Sequence, residues 1–174
     1  MRLEDFDTGT TYSARVLSSQ RITPASSREE VREIVLEVER DHFDHRPGQS
    51  IGVIVSGDHP QGHKHHFRLY SVADTAAATN GGKPHVTLCV KRCNYIDEYS
   101  GERYEGISSN YLCDRRPGDS ITINGPFGIP CEVPEDRNTD LLLIGMGTGI
   151  APFRALIKHI YQDVNDWQGR VRLL

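Results

Sequence analysis

A chain of 174 residues is long enough for one complete domain, or for one domain and part of another. Hydrophobic content of 37% and charged content of 25% fit a soluble globular protein and exclude a disordered one. A net charge of −4 excludes the broad basic surface of a nucleic-acid binder, and no run approaches the roughly 20 apolar residues of a membrane helix.

The opening "MRLEDFDTGT" is acidic and polar, unlike a secretory signal or an Arg-rich transit peptide, so the expected compartment is the cytoplasm. "SSREEVRE" (26–33) reads as a solvated face. "VREIVLEVE" (31–39) alternates with a period of two, placing Ile34, Leu36 and Val38 on one face of a strand. Further strands are predicted over 49–55, 66–72, 85–91 and 119–125, separated by Pro47-Gly48, "SGDHPQGHKH", "TNGGKP" and Pro117-Gly118. In the fourth-strand stretch, Phe67, Leu69 and Ser71 fall on one face, and Arg68, Tyr70 and Val72 on the other. A helix is predicted at "SSNYLCD" (108–114), with Ser108 or Ser109 as N-cap. Strands at this spacing with so little helix predict an antiparallel β-barrel or sandwich over about the first 130 residues.

The pattern changes after "VPEDRNTD" (133–140), which reads as a linker. "LLLIG" (141–145) suits a parallel strand covered on both faces. A glycine-rich turn follows, then a helix with Pro152 in its first turn and Phe153, Leu156, Ile157, Ile160, Tyr161 and Val164 on its apolar stripe. "GRVRLL" (169–174) begins another strand. This is one βαβ unit, the expected start of a second domain that looks cut short.

Four cysteines (Cys89, Cys93, Cys113, Cys131) show no CxxC pair and no iron–sulfur spacing, so buried free thiols in a reducing compartment are expected. His59, His63, His65 and His66 fall in one loop without a carboxylate or cysteine at ligand spacing, which favours a solvated turn over a zinc site.

Gly145, Gly147 and Gly149 stand where backbone amides and a helix dipole meet anions, but Ile150 replaces the third glycine of the usual dinucleotide fingerprint. Alone, the turn also fits plain helix–strand packing. Upstream, Arg68 can fork a phosphate, Tyr70 can stack a planar ring, and Ser71 can hydrogen-bond a ring heteroatom. Lys91, Arg92 and Tyr95 add cations and a second aromatic, and "GISSN" (106–110) adds another glycine turn at a helix start. Two flat groups joined by a charged linker suit this set; solvated strand charges with aromatic filler are the alternative.

"RLYS" (68–71), "LCVKR" (88–92), "GISSNYLCD" (106–114), "GPFG" (125–128) and "GMGTGIAPFR" (145–154) resemble, in the same order, the motifs of ferredoxin–NADP(+) reductases. The resemblance runs from about Gly48 to Arg154. It implies an all-β antiparallel FAD-binding barrel of Greek-key type over residues 1–137. The start of an α/β, Rossmann-like NADP(H)-binding domain would follow over 138–174. Carried over, Tyr70 stacks on the isoalloxazine and Ser71 approaches flavin N5 as the catalytic residue, with Leu69 beside them. Arg68 and the backbone of Gly106, Ile107, Ser108 and Ser109 hold the pyrophosphate, and Tyr95 stacks on adenine. Cys89, Val90 and Lys91 form a cofactor-binding stretch, with Lys91 meeting NADP(H) phosphates, and Gly147, Thr148 and Gly149 lie beneath the nicotinamide nucleotide.

Ser108 stands where plant-type enzymes often carry cysteine. The family's later strands, with the 2′-phosphate loop, a cysteine–glutamate region and a flavin-covering aromatic, are absent from these residues. The implied activity is hydride exchange between NADP(H) and FAD, with single electrons passed to ferredoxin or another iron–sulfur carrier. "GQSIGVI", "HHFRLYSVAD" and "SSNYLCD" also look like the reductase component of benzoyl-CoA epoxidase, which feeds an oxygenase. Two alternatives stay open: a flavin-carrying docking fragment without a working nicotinamide site, and a barrel without cofactor.

Overall fold

The computed structural model describes residues 9–57, 64–76, 82–96 and 98–174. Six strands form one antiparallel sheet: β1 (Thr11–Arg21), β2 (Val31–Val38), β3 (Ser50–Ser56), β4 (His65–Ser71), β5 (His85–Lys91) and β8 (Ser120–Phe127). Their order is β4-β3-β8-β1-β2-β5, so β8 enters between β1 and β3 after a long excursion. The two edge strands then meet. Val72 bridges Leu88, and Ala73 N donates to Thr87 O at 2.8 Å, which closes the sheet into the expected barrel.

Closure works because alternate residues of β1, β2, β3, β5 and β8 point inward. Ile34, Leu36 and Val38 are fully buried, as the period of two in β2 predicts, and meet Ile51, Val53, Val86, Leu88, Ile121 and Ile123. β1 was not predicted. Only Ala14 and Val16 are fully buried along it, and the register slips between Val16 and Ser18, so its sequence hides the alternation. A small hairpin of β6 (Asn94–Ile96) and β7 (Arg103–Glu105) is likewise new; all six of its residues are exposed.

Helix α1 (Ile107–Cys113) caps the barrel, with Leu112 and Cys113 in the core. Its N-cap is Gly106, not Ser108 or Ser109, and no side chain caps it. Both serines lie inside the first turn, and the Ser109 hydroxyl reaches back to the loop before it.

Beyond the barrel, β9 (Leu141–Leu143) pairs in parallel with β10 (Val171–Leu173). A 3₁₀ turn (Gly147–Ile150) leads into α2 (Ala151–Lys158), which continues as one π-helical segment (His159–Val164) and stops at left-handed Asn165. The predicted βαβ unit is therefore present, and Pro152 sits in the first helical turn. Leu143, Leu156, Ile160 and Trp167 form its small core, with Phe153 and Ile157 packed against it. Tyr161 of the predicted stripe is exposed. The "LLLIG" strand is not covered on both faces: Leu142 and Ile144 are 59% and 69% exposed, because among the described residues the helix packs only on the face that carries Leu143. Among the described residues, no helix is long and apolar enough to cross a membrane.

Candidate functional site

The side chains of β4 open onto a groove of about 490 Å³ beside the β6–β7 hairpin and the start of α1. Arg68, Leu69 and Tyr70 line one wall, Tyr95 and Tyr104 the hairpin side, and Gly106 to Ser109 the far end. Strand alternation predicts that Leu69 faces away from Arg68 and Tyr70. At this end strand, where the barrel closes, Leu69 borders the groove as well. Tyr70 packs its ring against the core, and burial raises its phenol to about 12, with Cys113 and Cys93 adding to the shift.

The glycine turn is held by side chains rather than left loose. Gly106 N donates to Cys93 O at 2.9 Å, and Asn110 Nδ2 donates to Gly106 O at 2.8 Å and to Cys93 O at 2.9 Å. Ser109 Oγ accepts from Cys93 N at 3.2 Å. A Cβ at residue 106 would stand 2.8 Å from Ser109 Oγ and 3.0 Å from Cys93 O, so a side chain there would push the Ser109 hydroxyl aside and crowd the staple. Arg92 fixes the other side of α1, donating at 2.8 Å to each of Glu30 Oε2, Asn110 Oδ1 and Asp114 Oδ1. It is a structural hub, not a cation that faces the groove.

Two groups remain available for a ligand. Ser108 Oγ is buried with no hydrogen bond of normal geometry and only the Tyr70 phenol near enough to interact with it, and Arg68 is exposed with no ion pair among the described residues. A buried, poorly satisfied hydroxyl and a free guanidinium on one groove fit an anion. Tyr95 and Tyr104 stack with centroids 5.2 Å apart and planes at 16°, so Tyr95 has one face engaged and one to offer a planar group.

A second cavity of about 370 Å³ adjoins the first and shares Leu69, Tyr70, Cys93 and Ser109 with it. Ser71, Cys89 and Lys91 form its barrel wall; Thr148, Gly149 and Ala151 form the opposite wall. Ser71 Oγ lies 3.5 Å from Ser50 Oγ. Lys91 is ion-paired with Glu29, and Glu29's hydrogen bond is the main reason the ammonium pKa stands above its usual value. Gly147 precedes this wall at φ 57°, a left-handed conformation that favours glycine.

Most of the predicted residues thus converge on two adjoining cavities. Val90 does not present its side chain there; it is 1% exposed within the barrel core, which leaves only its backbone. Sequence reasoning missed His66, Cys93, Tyr104 and Glu105, all of which line the groove. The signal for Tyr104 was its pairing opposite Tyr95 across a hairpin too polar to show alternation. The cysteines are all free, but they are not uniformly buried as expected: only Cys113 is, while Cys93 is exposed and Cys89 and Cys131 are half-buried. Cys93 follows the end of β5 on the rim, where its side chain has no core to enter. Of the histidine loop, His59 and His63 lie outside the described residues, and His65 is exposed. Among the described residues no three His, Cys, Asp or Glu side chains gather as a metal site.

The fold is a closed antiparallel barrel with a groove lined by Arg68, Tyr70 and Tyr95, followed by a glycine-turned βαβ unit. In comparisons with known proteins the chain is similar over most of its length to ferredoxin–NADP reductases. It is 40% identical over 158 residues to the chloroplastic leaf isozyme 1 of ferredoxin–NADP reductase from Arabidopsis thaliana, covering 90% of this chain and 43% of that protein. Against the chloroplastic enzyme of Spinacia oleracea it is 37% identical over 161 residues, covering 92% of this chain and 43% of the relative. The chain therefore spans less than half the length of these relatives. The solved ferredoxin–NADP+ reductase of Plasmodium falciparum superposes with a TM-score of 0.74 at 19% identity, covering 97% of this chain and 59% of that one. No family model matches the chain.

Proposed function

We propose that these residues are the flavin-binding part, and the beginning of the nicotinamide-nucleotide part, of a reductase that exchanges hydride with NADP(H) and single electrons with ferredoxin or another iron–sulfur carrier. The observation that carries the reading is the pair of adjoining cavities with Tyr70 and Leu69 as their common wall. In the larger one, Arg68, the Ser108 hydroxyl and the Gly106–Ser109 turn hold the FAD pyrophosphate, with Ile107 closing the floor. Tyr95 takes the adenine on its open face, and Tyr70 covers the isoalloxazine. In the smaller one, Ser71 stands beside the reacting nitrogen, while Lys91 exchanges Glu29 for a phosphate of NADP(H). Gly147, Thr148 and Gly149 carry the nucleotide on the far wall.

Bound FAD supplies the chemistry itself, accepting two electrons together as hydride and passing them on singly. The protein's residues bind, orient and shield it. We place the boundary between the two parts at 137/138. The crossover lies between Cys131, whose N donates to Pro47 O of the barrel, and Arg137, the last residue before that boundary, whose O already accepts from Gln168 N and Gly169 N of the second unit.

Titration with FAD tests the reading. A yellow protein that keeps its flavin through gel filtration is expected; a colourless one sinks it. A second reading is a flavin-carrying docking module without a working nicotinamide site. Steady-state oxidation of NADPH with an artificial acceptor separates the two. Turnover supports the reductase, and its absence from a protein that retains FAD supports the module.

A further inference from the structure

The wall formed by Thr148 and Gly149 is tied to the barrel by one side chain in particular. Arg154, one turn into α2, sends its guanidinium back to the barrel. Nη2 lies 2.5 Å from Glu33 Oε2 on β2 and 3.8 Å from Asp74 Oδ2, and Nη1 donates to Ala73 O at 3.2 Å. One turn further along the helix, Lys158 Nζ meets Asp74 Oδ2 at 2.5 Å. The receiving groups are well placed. Glu33 is the cross-strand partner of Cys89, which lines the second cavity, and Ala73 follows the bridge that closes the barrel. All four charged side chains are between 21% and 34% exposed, so the pairs are partly shielded from water. The Cys89 thiol also feels this guanidinium: burial raises its pKa, and Arg154 draws it back down.

We propose that Arg154 is a positioning residue: with Lys158 it clamps the Gly147–Ile150 turn against the outer face of β2 and the strand end at Ala73–Asp74, and so sets the gap between Ser71 and Thr148–Gly149. The inference rests on reading that cavity as the nicotinamide side. The physical reason is leverage. Arg154 lies four residues beyond the end of the turn, on a rigid helix, so fixing the guanidinium at three barrel atoms fixes the backbone that faces Ser71. None of these contacts touches the FAD groove, so the clamp governs how the second ligand meets the first and not whether the first binds.

The test uses the full chain loaded with FAD, in the variants Arg154→Glu, Glu33→Arg, the double charge swap, and Arg154→Gln as a milder alternative should Arg154→Glu fail to fold. Hydrogen exchange across residues 145–155 is expected to quicken on the order of five- to tenfold in either Arg154 variant. Flavin retention and exchange in β1, β3 and β8 should stay as in the parent. The double swap should slow the turn again in part, because it rebuilds the pair with β2 with its charges reversed but leaves a carboxylate beside Asp74 and no donor for Ala73 O. The flavin absorbance change induced by NADP+ should fall with the single variants and return in part with the swap. Unchanged exchange at the turn in Arg154→Gln, or a double swap that folds without restoring any protection, overturns the clamp. A parent protein that holds FAD but shows no response to NADP+ counts against the nicotinamide reading instead, and the clamp then stands or falls on the exchange data.

Discussion

Arg68 and Ser108 make opposite demands on the empty and the filled groove. Arg68 is solvated when the groove is empty, so its removal costs the fold little. Once a pyrophosphate is present, a charge-assisted fork is lost, and Arg68→Ala should weaken FAD retention about ten- to a hundredfold. Dilution of the yellow protein, followed by the fluorescence of released flavin, measures this; unchanged release rules out the phosphate role. Ser108 Oγ is buried with no hydrogen bond of normal geometry, which is unfavourable in the flavin-free protein. Ser108→Ala should therefore leave the flavin-free melting temperature unchanged or slightly raised while FAD affinity falls. A melting temperature that drops without flavin would show that the hydroxyl already has a structural partner. Such residues were legible by type, because guanidinium, phenol and hydroxyl seldom share one strand by accident. Cys93 and Tyr104 were not legible, because their place on the groove follows from a hairpin with no apolar face.

At the level of elements, legibility followed the contrast between faces. β2 was readable because apolar side chains alternate with glutamates, whereas β1 offers small side chains and a slipped register to the same core. The helix cap was misread for a related reason: serines suit an N-cap by propensity, yet Gly106 occupies it, where a side chain would crowd Ser109 Oγ and Cys93 O. What holds α1 in place is Arg92, and its contribution depends on pH. Glu30 is held below the usual carboxylate range, first by its hydrogen bond from Arg32 and then by that from Arg92. A depressed folded-state value means the stabilisation is complete above the ordinary glutamate range and is lost as pH falls through the lower, folded value. Arg92→Met should therefore be less stable than the parent at neutral pH, with the gap narrowing in acid. Urea midpoints at pH 7 and pH 3.5 check this. An equal gap at both would mean that Arg92 acts through packing alone.

The whole molecule contains two cores of very different size. The barrel buries residues from five of its six strands and from α1, with Tyr70 of β4 packed against them, whereas the βαβ unit is held by Leu143, Leu156, Ile160 and Trp167 with a few half-buried neighbours. From its letters the second unit was legible as strand, glycine turn and helix. Its exposed strand face was not, since "LLLIG" describes a strand's chemistry and says nothing of what packs on each face. Trp167, the one tryptophan of the chain, is 7% exposed in the smaller core and so reports on that unit alone. Its emission should shift to the red at a lower temperature than the loss of β-sheet circular dichroism. FAD bound in the barrel groove should raise the circular dichroism transition, by about 2.7 kcal/mol of stabilisation at a hundred times its dissociation constant. The tryptophan transition should move little, because the groove lies on the barrel and Trp167 lies in the core of the other unit. In the Arg154→Gln variant the two transitions should separate further. Coincident transitions that rise together with FAD would instead make the chain a single cooperative unit, with the small core stabilised by the barrel rather than clamped to it.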